Sequence, residues 1–275
     1  MRASEPVVQW RPAADARATT RIGDYLGWLE RERGRSFPDY HALWRWSVAD
    51  LAGFWSSILD YFDVVCHDPP RQVLTGDQMP GVRWFTGATL NYAEQVLRVP
   101  GRAGSEPVVL GRSQTREPVT LSGDELREQV RRVAAGLRRL GVSRGDRVAA
   151  YTPNLPETLV LLLATASLGA VFSSCSPEFG SRSVTDRWGQ IRPVVLVAVD
   201  GYRYGGKPVD RRAEVDRIRA ALPSVRHTVL LPYLDPDAQG ADLTWRDLAA
   251  PTGEPLRFTP VPFDHPLYVL YSSGT

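Results

Sequence analysis

The chain has 275 residues, 43% apolar and 23% charged, with a formal net charge of +2, the composition of ordinary globular material with room for one large or two small cores. Acidic residues are interleaved with the arginines, so no basic face is offered to nucleic acid, and the isolated Cys66 and Cys175 with four scattered histidines give neither a disulfide framework nor zinc-ligand spacing. The longest apolar stretch, Leu159 to Phe172, is broken by Thr165, Ser167 and Gly169, and the N-terminus lacks an apolar h-region, so neither a membrane span nor a signal peptide is expected and a reducing cytoplasm fits best.

Residues 1–36 read as a polar arm whose only order is a short helix around Asp24 to Arg33. From residue 37 to about 99 the pattern is aromatic and helical. Asp39 can cap a helix carrying Tyr40, Leu43, Trp44 and Trp46, and Asp50 a second carrying Leu51, Phe54, Trp55, Ile58 and Phe62. That spacing gathers rings on one face, either as a packing cap or as a cage for a ligand.

After a polar break at Pro100 to Ser105 the grammar becomes alternating strands and helices. Val108 to Leu110 is a predicted strand, and Ser122-Gly-Asp-Glu125 is a capping box opening a helix that Gly141 closes. Arg147 to Tyr151 is a predicted strand, followed by Asn154-Leu-Pro-Glu157 as a capping-box-like helix start. Strands at Val171 to Ser174, Val194 to Val199 and Thr228 to Leu231 alternate with helices at Arg182 to Gln190 and Arg211 to Leu222, and Thr244 to Asp247 opens one more short helix. This alternation predicts a mainly parallel sheet with crossover helices. Leu267 to Tyr271 reads as a further strand, buried and entering a hydroxyl- and glycine-rich loop.

Three segments carry candidate chemistry. Gly201-Tyr-Arg-Tyr-Gly205-Gly206-Lys207-Pro208 has the spacing of a Walker loop, but Pro208 supplies neither the hydroxyl for magnesium nor the N–H that such a loop requires. Two readings stay open there: a turn with glycines at positive φ, or a basic contact for a phosphate-bearing ligand through Arg203 and Lys207, the single lysine of the chain. Ser272-Ser273-Gly274-Thr275 follows a strand at the place where open α/β sheets bind ligands. Ser173 to Gly180 places Cys175 near Glu178, which suggests a nucleophile, but the run reads equally as a strand-to-helix connection.

Taken in order, Phe37 to Trp46, Arg83 to Glu94, Gly145 to Tyr151 with Pro153 to Glu157, Ser173 to Gly180, Asp200 to Lys207 and Tyr271 to Thr275 resemble the adenylate-forming acyl-CoA synthetase superfamily. The resemblance implies an α/β fold: a helical N-terminal cap at 37–99, then at 100–275 an incomplete, mainly parallel βαβ sheet, the first part of the AMP-binding large domain. It also implies an acid–thiol ligase using Mg2+, ATP and CoA on a short acid, acetoacetate in the branch resembled most, with acetate or propionate as rivals. By the same resemblance Ser272, Ser273, Gly274 and Thr275 begin a loop of form S-S-G-T-T-G-x-P-K that closes over the β- and γ-phosphates, and Arg203 and Lys207 match a loop that touches the nucleotide end of CoA.

The rest of that loop, the acyl pocket and the catalytic lysine of the family would lie beyond Thr275. The expectation is therefore a fragment without catalytic residues of its own, inactive alone, whose partner is the missing C-terminal part. A reading of another class is a non-catalytic nucleotide- or CoA-binding module, or half of a split enzyme. The tryptophan-rich cap also suggests oligomerisation, which size-exclusion of cap-deleted and intact forms would test; unchanged assembly would dispose of it.

Overall fold

Three capped helices organise the N-terminal unit, residues to Val64 plus Arg71–Thr86, in a computed structural model that describes residues 8–76 and 78–272. Helix α1 (Arg21–Arg33) starts where the Thr20 hydroxyl accepts the Gly23 N–H and stops at Gly34 in the left-handed region. Helices α2 (Tyr40–Ala49) and α3 (Leu51–Tyr61) start on the carboxylates of Asp39 and Asp50, which accept from Ala42 and Gly53 at 2.8 and 2.9 Å. Their apolar faces meet: Tyr25, Leu26, Leu29, Phe37 and Leu43 are buried, with Trp46, Phe54 and Ile58 packed on them. The rings contact one another, Tyr25 with Tyr61 at 5.0 Å and Phe37 with Trp46 at 5.2 Å between centroids.

Two expectations change here. The helix expected around Asp24 to Arg33 is longer, Arg21–Arg33, follows a short helix at Ala16–Thr19, and is part of a core rather than a loose arm: Leu29 is fully buried with α2 and α3, because Tyr25, Leu26 and Leu29 recur at helical spacing. The helical pattern also breaks off at Tyr61 and returns only at Tyr92–Leu97, a short helix capped by Asn91. Beyond Tyr61 come a hairpin of Gln72–Thr75 with Arg83–Thr86, and an antiparallel sheet of Cys66–Asp68, Thr89–Leu90 and Val261–Pro262. Pro69 and Pro70, with Gly76, Gly81 and Gly87 at positive φ, break any helix between them.

The second unit, Val65–Pro70 and Gly87 onward, is built on six parallel strands. These are β1 (Arg147–Tyr151), β2 (Val171–Cys175), β3 (Val195–Val199), β4 (His227–Leu231), β5 (Leu243–Thr244) and β6 (Tyr268–Val269), in the spatial order β5-β4-β3-β1-β2-β6. Alternation along β1 and β3 sorts the core into two faces. Val148, Ala150, Val195 and Val197 pack with α4 (Gly123–Arg139) and α5 (Pro156–Ser167), while Ala149, Tyr151, Leu196 and Ala198 pack with α6 (Ser181–Ile191) and α7 (Arg212–Ala221). Ser122 and Glu125 form the expected capping box on α4.

Local departures have local causes. Helix α5 takes Leu155 as N-cap without a side-chain bond, so Asn154 does not cap it; the Leu155 carbonyl accepts the Thr158 N–H at 3.0 Å, and Pro156, with φ preset for the first helical position, leaves no N–H there to satisfy. The strand near Val108 is Pro107–Gly111, which pairs antiparallel with Val119–Ser122 outside the parallel sheet. β6 is an edge strand of two residues rather than a buried five-residue strand: Tyr268 and Leu270 are 48% and 69% exposed because they project from one sheet face, while Val269 points to the other.

Candidate functional site

All six strands run the same way, so their C-terminal ends share one rim. Chain order puts β2 on one side of β1 and β4 beyond β3 on the other, so the connections leaving β1 and β3 diverge. The crevice between their ends is the topological switch point, where open α/β sheets hold ligands. Asp200 follows β3 there, and the next residues are a hairpin of Gly201–Tyr204 with Lys207–Asp210. Gly205 and Gly206, at φ 55 and 77, form its two-residue turn, the geometry of a type I′ turn that glycine adopts without strain. No helix opens at Lys207, so the Walker spacing is accidental.

Register decides how the two cations of this hairpin relate. Arg203 stands opposite Pro208 and Tyr204 opposite Lys207. Facing residues share a side of a ribbon and successive residues alternate, so Arg203 and Lys207, both exposed, lie on opposite sides of it. The ribbon is held at both ends. The Asp200 carboxylate, 2% exposed, accepts the N–H groups of Tyr233, Leu234 and Asp235 at 2.6, 2.9 and 2.7 Å. Toward the tip, the Arg203 N–H donates to Thr115 Oγ1 at 3.0 Å.

Of the terminal tetrapeptide, Ser272 lies within the described residues and Ser273, Gly274 and Thr275 lie outside them. The approach to Ser272 is well anchored. β6 pairs with Phe172 and Ser173 of β2, the Ser173 hydroxyl donates to Val269 O at 3.0 Å, and the Tyr271 hydroxyl donates to Arg187 O at 2.9 Å. The Arg187 guanidinium in turn lies 5.2 Å from the Phe179 ring centroid and 5.7 Å from that of Tyr271. Beside β6 an open concavity of about 500 Å³ is lined by Val109, Leu110, Leu155, Phe172, Ser174, Tyr268 and Leu270 among others. The hairpin and the strand leading to Ser272 thus share a rim but stand three strand spacings apart, about 14 Å.

Cys175 is not placed to act as a nucleophile. Its thiol is 3% exposed, and burial pushes it up to about 11, only partly opposed by the positive charge of Arg187. At pH 8 the native thiol is therefore expected to react with iodoacetamide about a hundredfold more slowly than an ordinary thiol, from thiolate fraction alone; mass-spectrometric labelling at the ordinary rate would refute this. The linkage has a definite sign: burying the neutral thiol contributes stability in full below its ordinary value of 9.0, and that contribution is lost as pH rises through about 11. The neighbouring Tyr151 hydroxyl, likewise raised to about 12 by burial, contacts the carbonyls of Phe179 and Pro177 at 2.6 and 2.9 Å and pins the connection after β2. Among the described residues no group of three or more His, Cys, Asp or Glu converges on a metal position.

A parallel sheet with a hairpin at its switch point and a serine-bearing strand end is an open α/β frame with a ligand-type rim, and comparison with known proteins gives that frame its family. The chain belongs to the AMP-binding enzyme family, whose model matches residues 99–275; a second model, acetyl-coenzyme A synthetase N-terminus, matches residues 40–96. It is similar to an acetoacetyl-coenzyme A synthetase of Rhizobium meliloti (strain 1021), 39% identical over 100% of this chain and 42% of the relative, and to an acetoacetyl-CoA synthetase of Rattus norvegicus, 34% identical over 98% and 41%. Among solved structures, acetoacetyl-CoA synthetase from Streptomyces lividans superposes with a TM-score of 0.92 at 47% identity, covering 98% of this chain and 42% of that one. The chain therefore spans about 42% of the length of the relatives it matches.

Proposed function

We propose that these residues form the front part of an acetoacetate–CoA ligase. The observation that carries this reading is the agreement, over 98% of the chain, with the Streptomyces lividans acetoacetyl-CoA synthetase. In the reaction proposed, an acetoacetate carboxylate attacks the α-phosphate of Mg-ATP, giving an acyl-adenylate and releasing pyrophosphate. The CoA thiol then attacks the acyl carbon and AMP leaves.

In this reading Ser272, Ser273, Gly274 and Thr275 begin the loop that follows the β- and γ-phosphates, since hydroxyls and backbone N–H groups suit a polyphosphate whose charge redistributes. Magnesium arrives with ATP. Arg203, at the switch point, contacts the phosphate-rich nucleotide end of CoA, and Lys207 adds positive charge from the other side of the ribbon. No helix among the described residues is long and apolar enough to cross a membrane, and a cytoplasmic setting suits the substrates.

The test is AMP formation by the product of the complete reading frame, with CoA and acetoacetate, acetate or propionate as alternatives. Acetoacetate is expected to give the highest kcat/KM. A preference for acetate or propionate would move the protein to a sister activity, and no acid-dependent AMP formation would end the ligase reading.

A further inference from the structure

Beyond the arginine itself, the loop that precedes Val119–Ser122 has a role at the hairpin, and this rests on the CoA reading of Arg203. In a hairpin with a two-residue turn, the residues flanking the turn exchange both hydrogen bonds and the next pair exchanges none. Tyr204 and Lys207 flank the turn, so Arg203 and Pro208 are the non-bonded pair. Pro208 loses nothing there by lacking an N–H, and the Arg203 N–H points out of the ribbon. Its partner is a side chain 88 residues earlier, Thr115 Oγ1 at 3.0 Å.

Thr115 is itself held. The Ser113 hydroxyl accepts the N–H groups of Thr115 and Arg116 at 3.2 and 3.1 Å, closing a tight turn. The Arg116 guanidinium pairs with Glu157 at the start of α5 and lies 5.1 Å from the centroid of the Tyr233 ring. The Tyr233 N–H, in turn, is one of the three on Asp200. A closed circuit thus runs from the base of the hairpin through the loop and back to its outer edge, at the backbone of Arg203.

We infer that Thr115 is a positioning residue for Arg203: it fixes the backbone from which the guanidinium reaches the nucleotide end of CoA, without touching that ligand. Without it, the exposed ribbon swings on its base and the arginine samples orientations that miss the phosphates. Losing a constraint the size of one hydrogen bond is expected to weaken binding about fivefold.

The test titrates the product of the complete reading frame with CoA by calorimetry, comparing wild type with Thr115→Val, Thr115→Ser and Arg203→Ala. Thr115→Val is expected to weaken CoA binding about fivefold at an unchanged thermal midpoint, Thr115→Ser to restore it, and Arg203→Ala to weaken it more than either. Hydrogen exchange supplies a reading that needs no ligand: the Arg203 amide is slow in wild type and Thr115→Ser, and fast in Thr115→Val. Wild-type affinity in Thr115→Val alongside a weakened Arg203→Ala would overturn the inference and leave the CoA reading intact, as would a fast Arg203 amide in wild type. Undiminished binding by Arg203→Ala, or no CoA binding by wild type, would overturn the CoA reading and the inference together.

Discussion

Replacing Asp200 with alanine is expected to cost about 4 kcal/mol of stability, because three N–H groups lose their acceptor at once and an unsatisfied buried donor costs about 1–3 kcal/mol. The carboxylate is 2% exposed, and Tyr233, itself buried, donates to it at 2.6 Å, so water cannot take its place without opening the rim. Asparagine keeps the shape and one acceptor oxygen. It can serve Tyr233 and Leu234, which share Oδ1, but not Asp235, which uses Oδ2. Asp200→Asn should therefore lose roughly half as much as alanine. Urea unfolding of both variants checks this, read as a shift in midpoint at constant slope. A midpoint for Asp200→Ala within error of wild type would show that the turn after β4 holds itself.

Asp200 also illustrates what sequence reading reaches and where it stops. Elements whose signals are local were visible: Asp39 and Asp50 cap the helices they precede, the Ser122 and Glu125 pair closes its box, and β1 to β4 fall within a residue or so of their apolar runs. The rim itself followed from strand and helix alternation. Asp200 directly follows the apolar strand Val194 to Val199, yet its partners lie 33 to 35 residues on, and no spacing rule links them. Thr115 had no signal of any kind, since its bond crosses 88 residues to a backbone N–H. The separation of Arg203 from Lys207 depends on the turn type, and Gly205-Gly206 in the sequence suggests a turn without giving the register that puts the two on opposite sides. The burial of β6 is hidden from the sequence for a different reason. Five apolar or aromatic residues in a row look the same whether both faces or one is covered, and only neighbouring strands decide.

The 275-residue polypeptide by itself is expected to show no acetoacetate-dependent exchange of pyrophosphate into ATP, at least about 10⁴-fold below an intact ligase if two charge-stabilising donors are missing at about 10²–10³ each. Adenylation needs positive charge where the pentavalent phosphate and the carboxylate meet, and the sole lysine, Lys207, sits on the hairpin after β3. That strand is three spacings, about 14 Å, from β6 and the Ser272 that follows it. Across solvent a separation of that size exceeds the screening length of about 8 Å at physiological ionic strength, so a charge at the end of β3 is largely screened from the end of β6. Arg187 is nearer to Tyr271, but its guanidinium is already stacked between that ring and Phe179 and hydrogen-bonded to Ser183. Exchange of labelled pyrophosphate above the blank, abolished by Ser272→Ala, would require a cation within this chain to reach the α-phosphate, and the distance argument would then fail at its first step.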